Sequence, residues 1–164
     1  MAPAEPRFAA DAMLARLARW LRVIGWDTTL DPALPDPELV RLADEQARLL
    51  LTRDRHLLRE LRPRRALRIE HDDPLLQLSQ VVSVLDLNAP PELFTRCTVC
   101  NTPLSPPLPE ALRIALLPPD VRTLPGAARQ CPGCGRLYWL GSHARRMREA
   151  IERTLPGWLG SGTR

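Results

Sequence analysis

The stretch "LLLTRDRHLL", residues 49–58, sets a run of leucines directly against Arg53, Asp54 and Arg55. The segment "LLLT" does not alternate between apolar and polar residues, so it predicts a fully buried strand in the middle of a parallel sheet. The polar residues that follow begin a helical pattern, "RDRHLLREL". The sequence thus places a carboxylate at the end of a buried strand, and Asp54 needs an explanation.

Strands and helices alternate on both sides of this stretch. An apolar segment at Phe8 precedes a helix whose leucines recur at 3.6-residue spacing, with Arg16, Arg19 and Arg22 on its polar side and Gly25 at its end. The segments "WDTTL", "DPELVRLADEQAR", "ALRIE" and "DDPLLQLSQVVSVLDL" predict a strand, a helix, a strand and a helix. This order predicts an α/β domain of three layers with a parallel sheet.

The bulk composition indicates a cytoplasmic protein. Of the 164 residues, 45% are apolar, which is enough for a core. No apolar stretch approaches the roughly 20 residues of a membrane-spanning helix, so we expect no membrane partner. The first residues, "MAPAEPRF", carry no run of signal-peptide length. Four cysteines in such a protein are expected to be reduced or metal-bound.

The chain changes character at "NAPPELF", residues 88–94, which predicts a first domain at 1–90 and a second at 91–164. The first part holds 13 arginines against 14 acids, and the second holds 10 against 5. Every basic residue is arginine, for which GC-rich coding is the simplest explanation. A basic second half suits a phosphate polymer that the first half acts upon.

Acidic residues follow several of the predicted strands. Asp11 follows the first apolar segment, Asp54 follows "LLLT", Asp72 and Asp73 follow "ALRIE", and Asp36 starts an intervening helix. Groups at the carboxyl ends of parallel strands meet at one edge of the sheet. Such carboxylates repel each other unless a cation lies between them, and Mg²⁺ or Mn²⁺ suits oxygen ligands.

A purely structural role is the alternative for each acid. Asp11, Asp36 and Asp73 stand directly before predicted helices, where aspartate is a common N-cap. Asp54 could instead be a surface acid paired with Arg53 or Arg55. Only the joint placement of the acids at strand ends favours a metal site.

The cysteines form two Cys-x-x-Cys pairs, Cys97 with Cys100 and Cys131 with Cys134, separated by 30 residues. Two such pairs can surround one tetrahedral zinc ion. The spacing exceeds the usual 15–20 residues, and a Pro-rich insertion accounts for the excess. A four-sulfur shell has no open position, so this zinc is expected to be structural. Two redox-active dithiols or disulfides are the alternative.

The segment "YWLGSHARRM" follows the second pair and offers Tyr138, Trp139, His143, Arg145 and Arg146. Aromatic rings beside guanidinium groups are typical of a surface that binds single-stranded nucleic acid. Alternatively, the aromatic side chains pack this segment against the first domain, and the histidine caps the last helix. Adjacent strand residues point to opposite faces, so we expect at least one aromatic ring to be structural.

Several motifs together resemble the Mut-seven C-terminal RNase family. They are "F-x-AD-x-ML-x-RLARWLR-x-IGWDT", "LLLTRDRHLL", "DDPLLQL", "FTRCTVCN" and "CPGCGRLYW-x-GSH-x-RRM", in this order from Phe8 to Met147. The resemblance implies a PIN-like nuclease domain, metal-dependent endoribonuclease chemistry with Mg²⁺ or Mn²⁺, and a zinc ribbon.

The resemblance also implies roles for individual residues. Asp11 and Asp54 would be the core metal-binding acids, and two further acids would complete the catalytic set. Asp36 competes with Glu38 for one of these positions, and Asp73 is preferred over Asp72 for the other. The residues expected to bind substrate are Arg16, Arg19, Arg53, Arg145 and Arg146.

Three functions remain open at this stage. The first is a metal-dependent endoribonuclease acting on single-stranded RNA. The second is a non-catalytic module that binds RNA or a ribosome through its ribbon. The third is a dithiol oxidoreductase using "CPGC", which tight zinc binding would eliminate. The sequence does not indicate an oligomeric state.

Overall fold

The computed structural model describes residues 5–160, and its elements alternate as the sequence predicts. The strands are β1 (Phe8–Ala10), β2 (Thr28–Thr29), β3 (Leu49–Thr52), β4 (Ala66–Arg68), β5 (Arg129–Gln130) and β6 (Leu137–Tyr138). The α-helices are α1 (Ala15–Val23), α2 (Asp36–Glu45), α3 (Arg55–Leu61), α4 (Pro74–Val84), α5 (Glu110–Leu116) and α6 (Ser142–Thr154). Short 3-10 turns span Ala12–Leu14 and Pro119–Val121. None of the helices within residues 5–160 is both long and apolar enough to span a membrane.

The first four strands form a parallel sheet with the order β2-β1-β3-β4. Side chains alternate across it, so that Phe8 and Leu51 face one layer while Ala9 and Leu50 face the other. Helices α1, α4 and α6 cover the first face, and α2 and α3 cover the second. The prediction of a three-layer α/β domain with a parallel sheet is confirmed, and "LLLT" is its fully buried inner strand.

The strand order changes direction between β1 and β3. From β1 the chain moves through α1 to β2 on one side, then crosses through α2 to β3 on the other side. In open parallel sheets, a crevice forms at such a point outside the carboxyl ends of the strands. The chain leaves β1 at Asp11 and β3 at Arg53, so this crevice is the natural place for a site.

The first turn of α2 differs from the prediction. Asp36 was expected to be the N-cap, but the carbonyl oxygen of Pro35 accepts the first helical hydrogen bond, from the Leu39 N–H at 2.9 Å. Pro35 is therefore the N-cap, and Asp36 is an exposed residue inside the first turn. A carboxylate there still interacts favourably with the helix dipole.

The second half of the chain is tied to the sheet through buried polar groups. Arg22, predicted on the polar side of α1, is buried instead, and it donates hydrogen bonds to the carbonyl oxygens of Thr98 and Val99 at 3.0 Å each. Asp27 accepts hydrogen bonds from Arg48 at 2.8 Å and from the Asn101 side chain at 2.8 Å. The arginine was misplaced because two of its three backbone acceptors, Thr98 and Val99, lie more than 70 residues away in the sequence.

The last helix packs on the first part of the chain. Met147 and Ile151 of α6 belong to the same apolar cluster as α1 and α4. Trp158 donates from its indole N–H to the Leu87 carbonyl at 2.8 Å, which anchors the segment after α6. The boundary at residue 90 stays a prediction. The parts of the two expected domains at 1–4 and 161–164 lie outside the described residues.

The Asp27–Arg48 pair gives a testable stability prediction. Its side chains are 23% and 8% exposed. Burial raises the pKa of Asp27, but the hydrogen bonds from Arg48 and Asn101 outweigh it and hold the pKa below its usual value. Because breaking a buried pair costs about 3–5 kcal/mol and this carboxylate is partly exposed, we expect Asp27→Asn to lower the free energy of unfolding by roughly 2–3 kcal/mol at pH 7.

The pH dependence of this effect follows from the direction of the shift. A lowered folded-state pKa contributes stability above the unfolded-state pKa, and this contribution is lost as pH falls through the folded-state value. The thermal unfolding curves of wild type and Asp27→Asn should therefore begin to converge as pH falls below about 4, the usual pKa of an unfolded aspartate, and should coincide below the folded-state pKa. Arg41→Gln, which breaks two exposed ion pairs on α2, should leave the melting temperature unchanged. Equal effects of the two variants at pH 7 would contradict the prediction.

Candidate active site and metal centre

Asp11 and Asp54 are linked through Thr52 at the point where the strand order reverses. The buried Thr52 hydroxyl donates to Asp11 Oδ2 at 2.7 Å and accepts from the Asp54 backbone N–H at 3.0 Å. The Asp11 N–H donates to the Leu51 carbonyl at 3.0 Å, which extends the pairing of β1 and β3 by one residue. The Thr52 hydroxyl therefore connects two of the predicted metal-binding acids, which follow the neighbouring strands β1 and β3.

Asp54 is also the N-cap of α3. Its Oδ1 accepts from the N–H groups of His56 at 2.7 Å and Leu57 at 3.1 Å. Among the described residues it forms no ion pair with Arg53 or Arg55, so the alternative of a surface pair is not realised. The cap leaves Oδ2 for another ligand.

Asp73 repeats this arrangement one strand further along the sheet. Its Oδ1 accepts from the N–H groups of Leu75 at 2.9 Å and Leu76 at 3.1 Å, which confirms it as the N-cap of α4. Asp72 is instead paired with Arg53 at 2.5 Å, although its side chain is 90% exposed. Arg53, the residue after β3, and Asp72, which follows β4, thus meet at the same edge of the sheet.

The two candidates on α2 differ in their partners. Glu38 Oε2 accepts hydrogen bonds from Arg41 at 2.7 and 3.0 Å, so its charge is compensated within the helix. Asp36 is exposed and makes no hydrogen bond or ion pair with its side chain among residues 5–160. Because Glu38 is already paired, the contacts favour Asp36 over Glu38 as the additional catalytic acid. This role of Asp36 stays a prediction.

The donor set at the sheet edge suits a hard divalent cation. Within residues 5–160 no three carboxylates have oxygens within 4.8 Å of one another. Mg²⁺, however, is usually bound by only one or two carboxylates, because water and substrate phosphates supply its other ligands. Asp11 and Asp54 therefore stay the predicted ligands of such an ion, whereas the wider set of acids within residues 5–160 is not assembled around a single point.

The cysteine pairs form two equivalent turns. In the first, the Cys97 N–H donates to the Thr102 carbonyl at 2.8 Å, and Asn101 has φ 67°. In the second, the Cys131 N–H donates to the Arg136 carbonyl at 2.8 Å, and Gly135 has φ 76°. Backbone N–H groups also point at the first sulfur of each pair, from Cys100 at 3.4 Å and Cys134 at 3.5 Å.

The four sulfur atoms fit one tetrahedral ion. All of them lie within 4.8 Å of one another, with Cys97 and Cys134 at 3.7 Å and Cys100 and Cys131 at 3.3 Å. Zinc–sulfur bonds of about 2.3 Å place the sulfurs of a tetrahedral site roughly 3.8 Å apart. The cluster can therefore hold a metal such as zinc.

The pKa values of the thiols also indicate that the cluster favours a bound cation. Hydrogen bonding from Thr102 lowers the pKa of Cys100 to about 6. The N–H of Arg136 lowers the pKa of Cys134, but burial and the three neighbouring cysteines outweigh it and raise that pKa to about 11. Four thiolates so close together need a positive charge between them.

The predicted substrate-binding residues occupy different surfaces. Arg19 and Arg145 line one cavity between the ribbon and helices α1 and α6, as do His143 and the two aromatic residues Tyr138 and Trp139. Arg16 is exposed near the start of α1, Arg53 lies at the sheet edge, and Arg146 is exposed on α6. Their roles in substrate binding stay predictions.

Two residues at these sites were missed from sequence. Thr52 ends the apolar run, and a polar residue in a fully buried strand is the signal that could have singled it out. Asn101 donates to Asp27 and accepts from the Thr28 N–H at 3.0 Å, so it joins the cysteine turn to β2. No local pattern reveals this second contact.

The fold and these sites define an α/β protein with acids at the ends of parallel strands and a four-cysteine ribbon. Residues 6–151 match the family model of the Mut7-C RNAse domain. The chain therefore belongs to this family, and the resemblance found in its sequence is confirmed. No curated protein and no solved structure matches the chain. The family description points to a nuclease and to RNA as substrate or partner.

Thr52 can be tested by a near-isosteric change. Thr52→Val removes the hydroxyl and leaves Asp11 Oδ2 and the Asp54 N–H without their partner. Leaving buried polar groups unpaired costs about 1–3 kcal/mol, so we expect a loss of stability in this range. Because Asp11 then loses its orientation, the Mn²⁺ concentration for half-maximal protein binding, followed by calorimetry, should rise. Thr52→Ser should restore both values, and an unchanged Mn²⁺ affinity in the valine variant would contradict this role.

The cysteine cluster predicts a metal-dependent fold. We expect purified protein to hold one zinc per chain by elemental analysis. Chelation should lower its melting temperature by about 6–12 °C, since a loss of roughly 3 kcal/mol has this effect in a chain of this size. Cys131→Ser should lose the metal and show the lower melting temperature without chelator. A chelated protein that melts as before would contradict the prediction.

Proposed function

We propose that this protein is a metal-dependent endoribonuclease that hydrolyses single-stranded RNA, and that its zinc ribbon helps to bind the strand. The observation that carries the proposal is the unit formed by Asp11, Thr52 and Asp54 at the reversal of strand order. Membership of the Mut7-C RNAse family supports the same activity class.

The proposed site uses the acids to hold Mg²⁺ or Mn²⁺. When bound, such an ion would activate a water molecule and neutralise charge on the scissile phosphate. Thr52 fixes one oxygen of Asp11, and the first turn of α3 fixes one oxygen of Asp54. Both carboxylates are therefore oriented before an ion or a substrate arrives, and Asp36 and Asp73 are the proposed additional acids.

The cations around the site would contact the RNA. Arg53 is held at the sheet edge by Asp72 and can balance the charge on the leaving oxygen. Arg16 and Arg19 follow Asp11 on α1, and Arg145 and Arg146 extend the basic surface onto α6. Phosphate contacts of this kind give affinity that falls with rising salt.

Cleavage of labelled RNA by conservative variants tests the proposal. Asp11→Asn and Asp54→Asn remove a charge but keep the oxygen that accepts hydrogen bonds, so the fold is preserved. We expect each to lower Mn²⁺-dependent cleavage of single-stranded RNA by about 100-fold or more, while zinc content and melting temperature stay at wild-type values. A duplex of the same sequence should be cleaved poorly.

Asp86→Asn is the matched control. Asp86 is exposed after α4 with φ 49°, a backbone conformation that asparagine tolerates, and should keep full activity. In the same assay, Asp36→Asn and Asp73→Asn should be impaired more than Glu38→Gln and Asp72→Asn. Trace cleavage that is equal in all variants would refute the nuclease and favour a non-catalytic module that binds RNA or a ribosome.

A further inference from the structure

A cavity of about 780 Å³ lies between the ribbon and the first and last helices. Its walls come from α1, from β6 and the residues after it, from α6, and from the loop around the 3-10 turn Pro119–Val121. This volume is within the range of pockets that bind small molecules, about 300–1,000 Å³. The apolar walls include Phe94, Leu124 and Met147.

The charged groups of this ribbon cavity favour an anionic occupant. Four arginines and two acids line it, namely Arg19, Arg129, Arg136, Arg145, Glu92 and Asp120. Glu92 is paired with Arg129 at 2.8 Å, so these two compensate each other. Three arginines then face one carboxylate, which leaves an excess of positive charge around an apolar interior.

The two aromatic residues of the cavity have different tasks. The Tyr138 hydroxyl accepts from the Thr98 N–H at 3.0 Å and lies 3.1 Å from the Cys97 sulfur, so this ring is fixed to the cysteine turn. Trp139 is half-buried and packs over Gly141, where a Cβ atom would approach its indole nitrogen to 2.9 Å. The absence of a side chain at Gly141 thus lets a flat indole line the cavity beside Arg136 and Arg145.

We infer that the ribbon cavity binds an unpaired base of single-stranded RNA, with Trp139 stacking on the base and Arg19, Arg136 and Arg145 contacting its phosphates. An aromatic ring with guanidinium groups around it is the combination that holds single strands without requiring a sequence. A duplex keeps its bases stacked and cannot offer one to the cavity. The ribbon cavity therefore selects for single strands.

The inference rests on the proposed function for the identity of its ligand, and α1 connects the two sites. Arg19 lies eight residues after Asp11, and a 3-10 turn followed by α-helix spans roughly 15 Å over this distance. A strand that enters the ribbon cavity would therefore pass the proposed acids within a few nucleotides. The bound base would set the position of the phosphate that is cut.

Binding measured without cleavage tests the inference independently of the nuclease. Zinc-loaded Asp11→Asn protein, without added divalent metal, is titrated with a labelled oligouridylate by fluorescence anisotropy. Adding Trp139→Ala should weaken binding about tenfold, while Trp139→Phe should retain most of the affinity. Arg136→Gln and Arg145→Gln should each weaken binding. Arg153→Gln is the control, because Arg153 is also exposed on α6 but lies outside the cavity, and it should leave binding unchanged.

An abasic scan locates the base. A single abasic nucleotide is moved along the strand, and one position should weaken binding by the same factor as Trp139→Ala, with no further loss when the two changes are combined. Binding unaffected by Trp139→Ala at wild-type melting temperature, or equal binding of duplex and single strand, would overturn the inference. If binding behaves as expected but the wild type does not cleave RNA, only the proposed nuclease fails.

Discussion

The parallel pairing of β1 with β3 is the contact on which both the core and the candidate site depend. It sets Phe8 opposite Leu49 and Ala10 opposite Leu51. Side chains alternate in a strand, so a slip of one residue would send Leu50 to the wrong face and empty both apolar clusters. The same register brings the Thr52 hydroxyl to the carboxylate of Asp11. Hydrophobic burial therefore fixes the geometry of a polar site that contributes little to the core.

Attachment of the ribbon follows from a second constraint, the charge of the thiolate cluster. Zinc with four thiolates carries a net negative charge, which is costly beside an apolar core unless a cation compensates it. Burial lowers the pKa of Arg22, whereas the nearby Cys97 and Cys100 act to raise it. Its guanidinium binds the carbonyls of the same turn. A buried arginine on α1 thus joins the parallel sheet to the cysteine cluster.

Local patterns in the sequence predict those features of the structure that depend on interactions between nearby residues. The unbroken apolar run at 49–51, the order of strands and helices, and the spacing of the cysteines each depend on nearby residues, and each agrees with the structure. Arg22 was misplaced because helical periodicity assigns every charge to the solvent face. Its guanidinium binds the nearby Thr28 carbonyl and two acceptors more than 70 residues away, which no local pattern reveals. At α2, the sequence Pro35-Asp36-Pro37 allows the helix to begin at either of two neighbouring residues. Only the backbone hydrogen bond from Leu39 to Pro35 shows that Pro35 is the N-cap.

Capping and metal binding are not competing explanations for Asp54. The two N–H groups of the first turn of α3 take Oδ1, and they stop the side chain from rotating. They also place the carboxylate at the positive end of the helix dipole, which stabilises its charge against the repulsion of neighbouring acids. Asp73 is held in the same way by α4. The helices that follow β3 and β4 therefore each fix an acid at the sheet edge, and in both acids the cap uses only one carboxylate oxygen.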